Sequence, residues 1–140
     1  MNAFDETAAA GTEKADFAKQ RIKRLQHTVE SFRKLARQPL PVKLSADQRK
    51  EAERYDDWLK DSSRKLDDLA NRWQAALDKA EKQRNHLAAQ KQMQEMNHSF
   101  NLQYLDLQQQ MQDENRRFTL ISNIMKNKHD TAKNSINNMR

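Results

Sequence analysis

The sequence predicts an all-α chain, an elongated helical hairpin or coiled coil with a long C-terminal helix. Three observations predict it. Glycine occurs once and proline twice in 140 residues, and these are the residues that interrupt regular backbone most strongly. Charged residues make up 33% and hydrophobic ones 36%, which is the usage of long helices and leaves little apolar material for a thick globular core. Apolar residues recur at alternating steps of three and four through most of the chain, the repeat that keeps one seam of a helix turned to a partner helix.

Taken in order, residues 1–12 read as a disordered leader. The opening Met-Asn-Ala-Phe-Asp-Glu has neither the cationic flank nor the apolar run of a secretory signal. No window approaches the ~20 apolar residues of a bilayer span, so neither a cleaved precursor nor a membrane-spanning chain is expected. A first helix starts near Glu13 and runs to about Arg37 on the seam Ala15, Ala18, Ile22, Leu25, Val29, Phe32 and Ala36, widened by Phe17 and Leu35. Gln-Pro-Leu-Pro ends it, because the residue before each proline is pushed out of the α region. The loop at 38–45 closes on Ser45, and Gln48 three residues later completes a capping-box pattern that starts a second helix at Ala46. Its seam runs through Tyr55, Leu59, Leu66, Leu69 and Trp73, and antiparallel pairing with the first helix is the simplest way to bury both. Residues 13–87 thus read as one hairpin with a core of Ile22, Leu25, Val29, Phe32, Tyr55, Leu59, Leu66, Leu69 and Trp73.

Past Leu87 the phase slips by a three-residue step near Gln90, the kind of stammer that overwinds a seam. Residues 88–140 read as a C-terminal assembly helix with the stripe Met93, Phe100, Tyr104, Leu107, Met111, Phe118, Ile121, Met125, Ala132 and Met139. Asn97-His98-Ser99 is its weak stretch, and a bend is expected at 97–101. This stripe has no evident partner inside the chain. Much of Phe100 to Ile124 should therefore lie exposed in a monomer, and an exposed patch of that length marks an interface. Eight glutamines from Gln90 to Gln112 read equally as an uncharged surface suited to packing against further copies, where charges would repel, or as ordinary helix-forming filler.

Several function classes are disfavoured on chemistry. Without cysteine there is no disulfide and no thiolate metal site. His27, His86, His98 and His129 include no pair at i, i+4, and a single glycine builds neither a phosphate-cradling loop nor a nucleophile elbow. The expectation is a chain that is not an enzyme and has no cofactor, metal or small-molecule substrate. The net charge of +6 is concentrated in residues 13–38 and 116–140, each +5. The basic runs Lys19 to Arg24 and Arg33 to Arg37 read as solvated helix faces in preference to phosphate contacts, since no groove-reading helix motif or stacking aromatics accompany them. Phe118, Leu120, Ile121, Ile124 and Met125 beside Arg116, Arg117, Lys126 and Lys128 suit a membrane surface less than a partner helix.

The last third carries a more specific pattern. Gln108 and Met111 are followed by Asn115, then by Ser122-Asn123-x-x-Lys126-x-x-x-Asp130, and the chain ends Asn138-Met139-Arg140. Residues 101–140 resemble the C-terminal helix of bacterial type III secretion needle subunits, in which a similar Ser-Asn-x-x-Lys-x-x-x-Asp run leads at the same spacing to a terminal Asn-Phe-Arg. Here Met139 takes the aromatic place. The resemblance implies a bacterial subunit, exported by a signal-peptide-independent route or cytoplasmic before export, whose C-terminal helix stacks in a helical polymer. It makes Ser122, Asn123, Lys126, Asp130, Asn138 and Arg140 assembly or lumen residues. Needle subunits are much shorter, and their proline-containing loop lies close before the terminal helix, whereas Pro39 and Pro41 lie far upstream. The 13–87 hairpin would then decorate a filament or serve as a partner-binding arm, and a rod, filament or stalk component of the same apparatus fits equally. The expected partners are other copies of the chain or another secretion-system protein. The alternative is a cytosolic coiled-coil adaptor or chaperone-like protein that binds a partner helix.

Overall fold

The computed structural model describes residues 3–82, 85–118 and 125–140, with side-chain environments over 16–82, 85–117 and 125–140. It is all-helical. Its elements are α1 (Ala3–Arg37), α2 (Ala46–Lys82), α3 (His86–Phe118) and α4 (Lys126–Asn137), with no strand among the described residues.

α1 begins ten residues before the expected Glu13, so the leader expected at 1–12 is helical from Ala3. The physical reason is Ala8-Ala9-Ala10, the strongest helix former in triplicate, against which Gly11 costs only about 1 kcal/mol. The helix ends at Arg37 ahead of Pro39, with the Gln38 amide donating to the Leu35 carbonyl at 3.2 Å and Lys34 and Arg37 meeting the negative end of the dipole. At the start of α2 both bonds of the capping box form: the Gln48 amide donates to Ser45 Oγ at 3.1 Å, and the Ser45 amide donates to Gln48 Oε1 at 3.0 Å.

α1 and α2 lie side by side in opposite chain directions, since Lys19 pairs with Glu81 at one end and Arg33 with Asp67 further along. Ile22, Leu25, Val29, Phe32, Tyr55, Leu59, Leu66, Leu69 and Trp73 are all buried on this pair, each apolar side chain contributing roughly 1.5–3 kcal/mol by leaving water. Phe32 and Tyr55 both pack on Trp58, with ring centroids 5.7 and 5.3 Å apart.

The break in the long second half falls elsewhere than expected. α2 ends at Lys82 and α3 starts at His86, and α3 then runs without interruption through Asn97-His98-Ser99, so the helix does not break at 97–101. Asn85 explains the restart: its Oδ1 accepts the amides of Leu87 and Ala88 at 3.1 and 3.3 Å, the action of an N-cap. Asn97 holds its place in the helix because its side chain takes a tertiary bond, accepting from the Arg21 guanidinium at 2.7 Å.

α3 runs back along α2, with Trp73 against Phe100 at 5.7 Å near one end, Trp58 Nε1 donating to Gln110 Oε1 at 2.7 Å, and Arg54 gripping Glu114 near the other. α4 then reverses again and lies along α1. Phe100, Tyr104, Leu107, Met111, Met125, Ala132, Ile136 and Met139 join one core with the α1 and α2 seams. The expectation that the C-terminal stripe lacks a partner inside the chain and stands exposed in a monomer is therefore corrected at Phe100, Tyr104, Leu107 and Met111. Two chain reversals bring their faces onto the α1 and α2 seams.

Candidate interaction surfaces

Once the apolar stripe of α3 is turned inward, the opposite face of the same helix is what the molecule presents. Leu87, Lys91, Gln94, His98, Leu102, Leu105, Gln109 and Gln112 share that outward face at helical spacing and are all exposed. Leu102 and Leu105 are 56% and 58% exposed, and Leu87 is 78% exposed. No carboxylate lies on the stripe; Glu95, Asp106 and Asp113 line one edge, and Asn101 and Gln108 the other. From Gln94 to Gln112 it offers amides, leucines and one imidazole, a surface cheaper to take out of water than a charged one as long as its amides find hydrogen-bond partners.

The second surface is already occupied, by α4. Met125, Ala132, Ile136 and Met139 supply its apolar contacts, and the rest is polar. Lys128 Nζ donates to Asp56 Oδ1 at 2.8 Å with both residues 8% exposed, so this ion pair is taken almost wholly out of water. Burial pushes the Asp56 carboxyl above its ordinary range, and the hydrogen bond and charge of Lys128 only partly oppose the shift. Tyr55 Oη lies 3.2 Å from His129 Nδ1. Burial holds the His129 imidazole below its usual value, with Asp130 and Glu114 pulling upward and Lys133 downward. On the α1 side Thr28 Oγ1 donates to the Ser135 carbonyl at 3.2 Å, and the Ser31 and Ser135 hydroxyls meet at 2.8 Å. Arg24 donates to the Arg140 carbonyl oxygen at 2.6 Å, and the Arg140 guanidinium sits over the Tyr104 ring at 5.5 Å. A cleft of about 500 Å³ opens along this seam, between Ser31, Lys34 and Gln38 of one helix and Asn127, Lys128 and Thr131 of the other.

A third polar centre ties α3 to α2. Arg54 donates twice to Glu114, at 2.9 and 2.8 Å, and once to Glu51 at 2.9 Å; Glu114 is 5% exposed. The bidentate carboxylate raises the Arg54 pKa, so the guanidinium stays charged at any pH the fold survives.

Of the assembly residues expected from sequence, Phe100, Tyr104, Leu107, Met111, Met125 and Met139 are buried inside the chain. Lys126, Asp130, Asn138 and Arg140 are exposed on or beyond α4. Ile121, Ser122 and Asn123 lie outside the described residues, as does the side chain of Phe118. Sequence reasoning missed Leu102 and Leu105, although with His98, Gln109 and Gln112 they form a second series at steps of four and three that was open to the same reading. For Asp56, Thr28 and Ser135 the sequence carries no signal, because their partners lie between 72 and 107 residues away.

Among the described residues, no group of three histidines or carboxylates is arranged to hold a metal ion, and no helix is long and apolar enough to cross a membrane. Comparison with known protein families, with curated proteins and with solved structures finds no match to this chain.

Proposed function

We propose that the protein is a structural assembly subunit that self-associates through its C-terminal half, in the manner the resemblance of residues 101–140 to type III secretion needle subunits implies. In this reading α1 and α2 form an antiparallel hairpin that presents the outer face of α3. The observation that carries it is the exposed Leu102 and Leu105 pair at the centre of a glutamine-rich stripe without carboxylates.

A second copy is the occupant the charges favour. Two α3 helices crossing antiparallel with Leu102 at the centre place Lys91 of each level with Asp113 at the edge of the other's stripe, and His98 level with Asp106 on the same edge. The glutamines between them exchange side-chain hydrogen bonds without bringing like charges together. Leu102→Glu with Leu105→Glu tests this, since both side chains are more than half exposed and the fold loses little from the change. Sedimentation of the wild-type chain over a concentration series should show a reversible oligomer, and the double variant should need at least tenfold more protein to form it while melting at a similar temperature. Equal association by both chains rejects the α3 face. A wild-type monomer throughout rejects self-association and favours the adaptor reading, in which the same stripe takes the helix of a different protein.

A further inference from the structure

The geometry points to α4 as an exchangeable ligand: the seat it occupies between α1 and α3, with Asp56 and Tyr55 of α2 reaching it through their side chains, accepts the α4 of a second copy. This deepens the self-association reading and rests on it for what brings copies together, but it concerns a different surface.

The seat is specific more than it is strong. Two apolar side chains of α4, Ala132 and Ile136, are buried, with Met125 and Met139 buried just outside its ends, while its remaining contacts are the Lys128–Asp56 ion pair and the bonds of Ser135, His129 and the Arg140 carbonyl. A buried ion pair loses in desolvation most of what it gains in attraction, so it selects the partner that fits without adding much net affinity. α4 also lacks a side-chain N-cap, and its seam with α1 stays open as the cleft beside Lys34 and Lys128.

An empty seat is costlier than either occupied form. Removing α4 takes the Lys128 cation from Asp56 and gives up the burial of Ala132 and Ile136. A replacement must bring a cation, a ring nitrogen and a serine at the spacing of Lys128, His129 and Ser135. The α4 of another copy meets every one of these demands because it is the same helix. The exchanged and unexchanged forms therefore contain the same bonds, and the balance between them is set by local concentration, which association through α3 raises. A chain whose seat holds a neighbour's α4 and whose own α4 enters the next seat forms an open series, the connectivity a filament requires.

Because the chain has no cysteine, Ser31 and Ser135, whose hydroxyls touch, report on exchange directly. Ser31→Cys with Ser135→Cys in one chain, oxidised in dilute solution, should give a disulfide within the chain; failure to form it refutes the seat geometry. Chains carrying Ser31→Cys alone and Ser135→Cys alone, mixed at high concentration and then oxidised, should give a disulfide between the two chains on a denaturing gel. Adding Lys128→Asp to the Ser135→Cys chain should reduce that product at least tenfold, because Asp56 then repels the incoming helix, even though the same change loosens α4 from its own seat and leaves the cysteine more open to chance collision. Absence of the mixed product, or its persistence with Lys128→Asp as a collision product would persist, overturns the exchange. Either result leaves the α3 face to be judged by Leu102→Glu with Leu105→Glu. The double-cysteine chain adds a functional readout: oxidised while dilute, it should assemble at least tenfold less than its reduced form, and equal assembly overturns the exchange.

Discussion

Replacing Lys128 by alanine isolates the energetics of the α4 seat. Lys128 and Asp56 are each 8% exposed, with their charged atoms 2.8 Å apart, so the substitution leaves a buried carboxylate without the Lys128 cation that offsets its lost hydration. Breaking a buried pair in this way costs about 3–5 kcal/mol, whereas replacing both partners by apolar groups of similar volume is near neutral or stabilising. For 140 residues the unfolding entropy at the midpoint is about 0.3 kcal/mol per degree, so Lys128→Ala should lower the Tm by roughly 10–17 °C. The alternative response caps the loss: the chain detaches α4 and hydrates Asp56 when that costs less than keeping the carboxylate dry. Thermal melts followed by circular dichroism give the global term, and hydrogen exchange over 126–137 reports detachment. Asp56→Leu combined with Lys128→Met should restore most of the Tm. A loss below about 1 kcal/mol with α4 still protected refutes the reasoning, since it means that water reaches the pair. A double variant as unstable as the single one refutes it as well.

Three further outcomes follow from the same structure. Leu66→Ala, at a fully buried position where α1 and α2 meet, should cost about 2–5 kcal/mol in chemical denaturation, as a cavity in a close-packed seam does. Asn85→Ala removes the acceptor for the Leu87 and Ala88 amides, and Ser45→Ala removes one for Gln48; each should cost about 1 kcal/mol, with the Asn85 change felt first as lost exchange protection at the start of α3. The imidazole of His129 is held below its usual pKa by burial, so the unfolded chain takes up a proton first as the pH falls. Its contribution to stability is full above about pH 6.5 and declines below that, and His129→Gln should flatten the slope of stability between pH 7.5 and 5.5. Burial shifts Asp56 upward, which acts in the opposite sense at lower pH, in the carboxylate range.

Much of the first half was legible because its signals are local. A seam at steps of three and four, two prolines and a serine three residues before a glutamine each act within one or two helical turns, and the two capping bonds at Ser45 and Gln48 form as that spacing implies. The second half was less legible for two reasons. Asn85 resembles any polar residue of a long helix until its side chain is seen to accept two amides, so the break was expected at Asn97-His98-Ser99, where the helix continues and Arg21 bonds the Asn97 side chain. A stripe such as Phe100, Tyr104, Leu107 and Met111 also states that it must be covered without stating by what. Whether a partner helix comes from the same chain depends on where the chain turns, and that information sits in Asn85 and in the segment between α3 and α4. The polar seat of α4 was invisible from the sequence, since Lys128 and Asp56 each look like one more charge among many until the fold removes both from water.

The three pins along α3 have a consequence for how the chain can change length. Asn97 is held by Arg21, Gln110 by Trp58 and Glu114 by Arg54, the first in the N-terminal half of one continuous helix and the other two in its C-terminal half. Inserting or deleting residues between Asn97 and Gln110 would rotate and displace one set of pins against the other by 1.5 Å per residue, and even a full turn moves them about 5.4 Å, beyond hydrogen-bond reach. Relatives of this chain should therefore keep the count between those positions constant and vary more readily across 38–45, where the backbone is outside any helix and an added residue shifts no helical register.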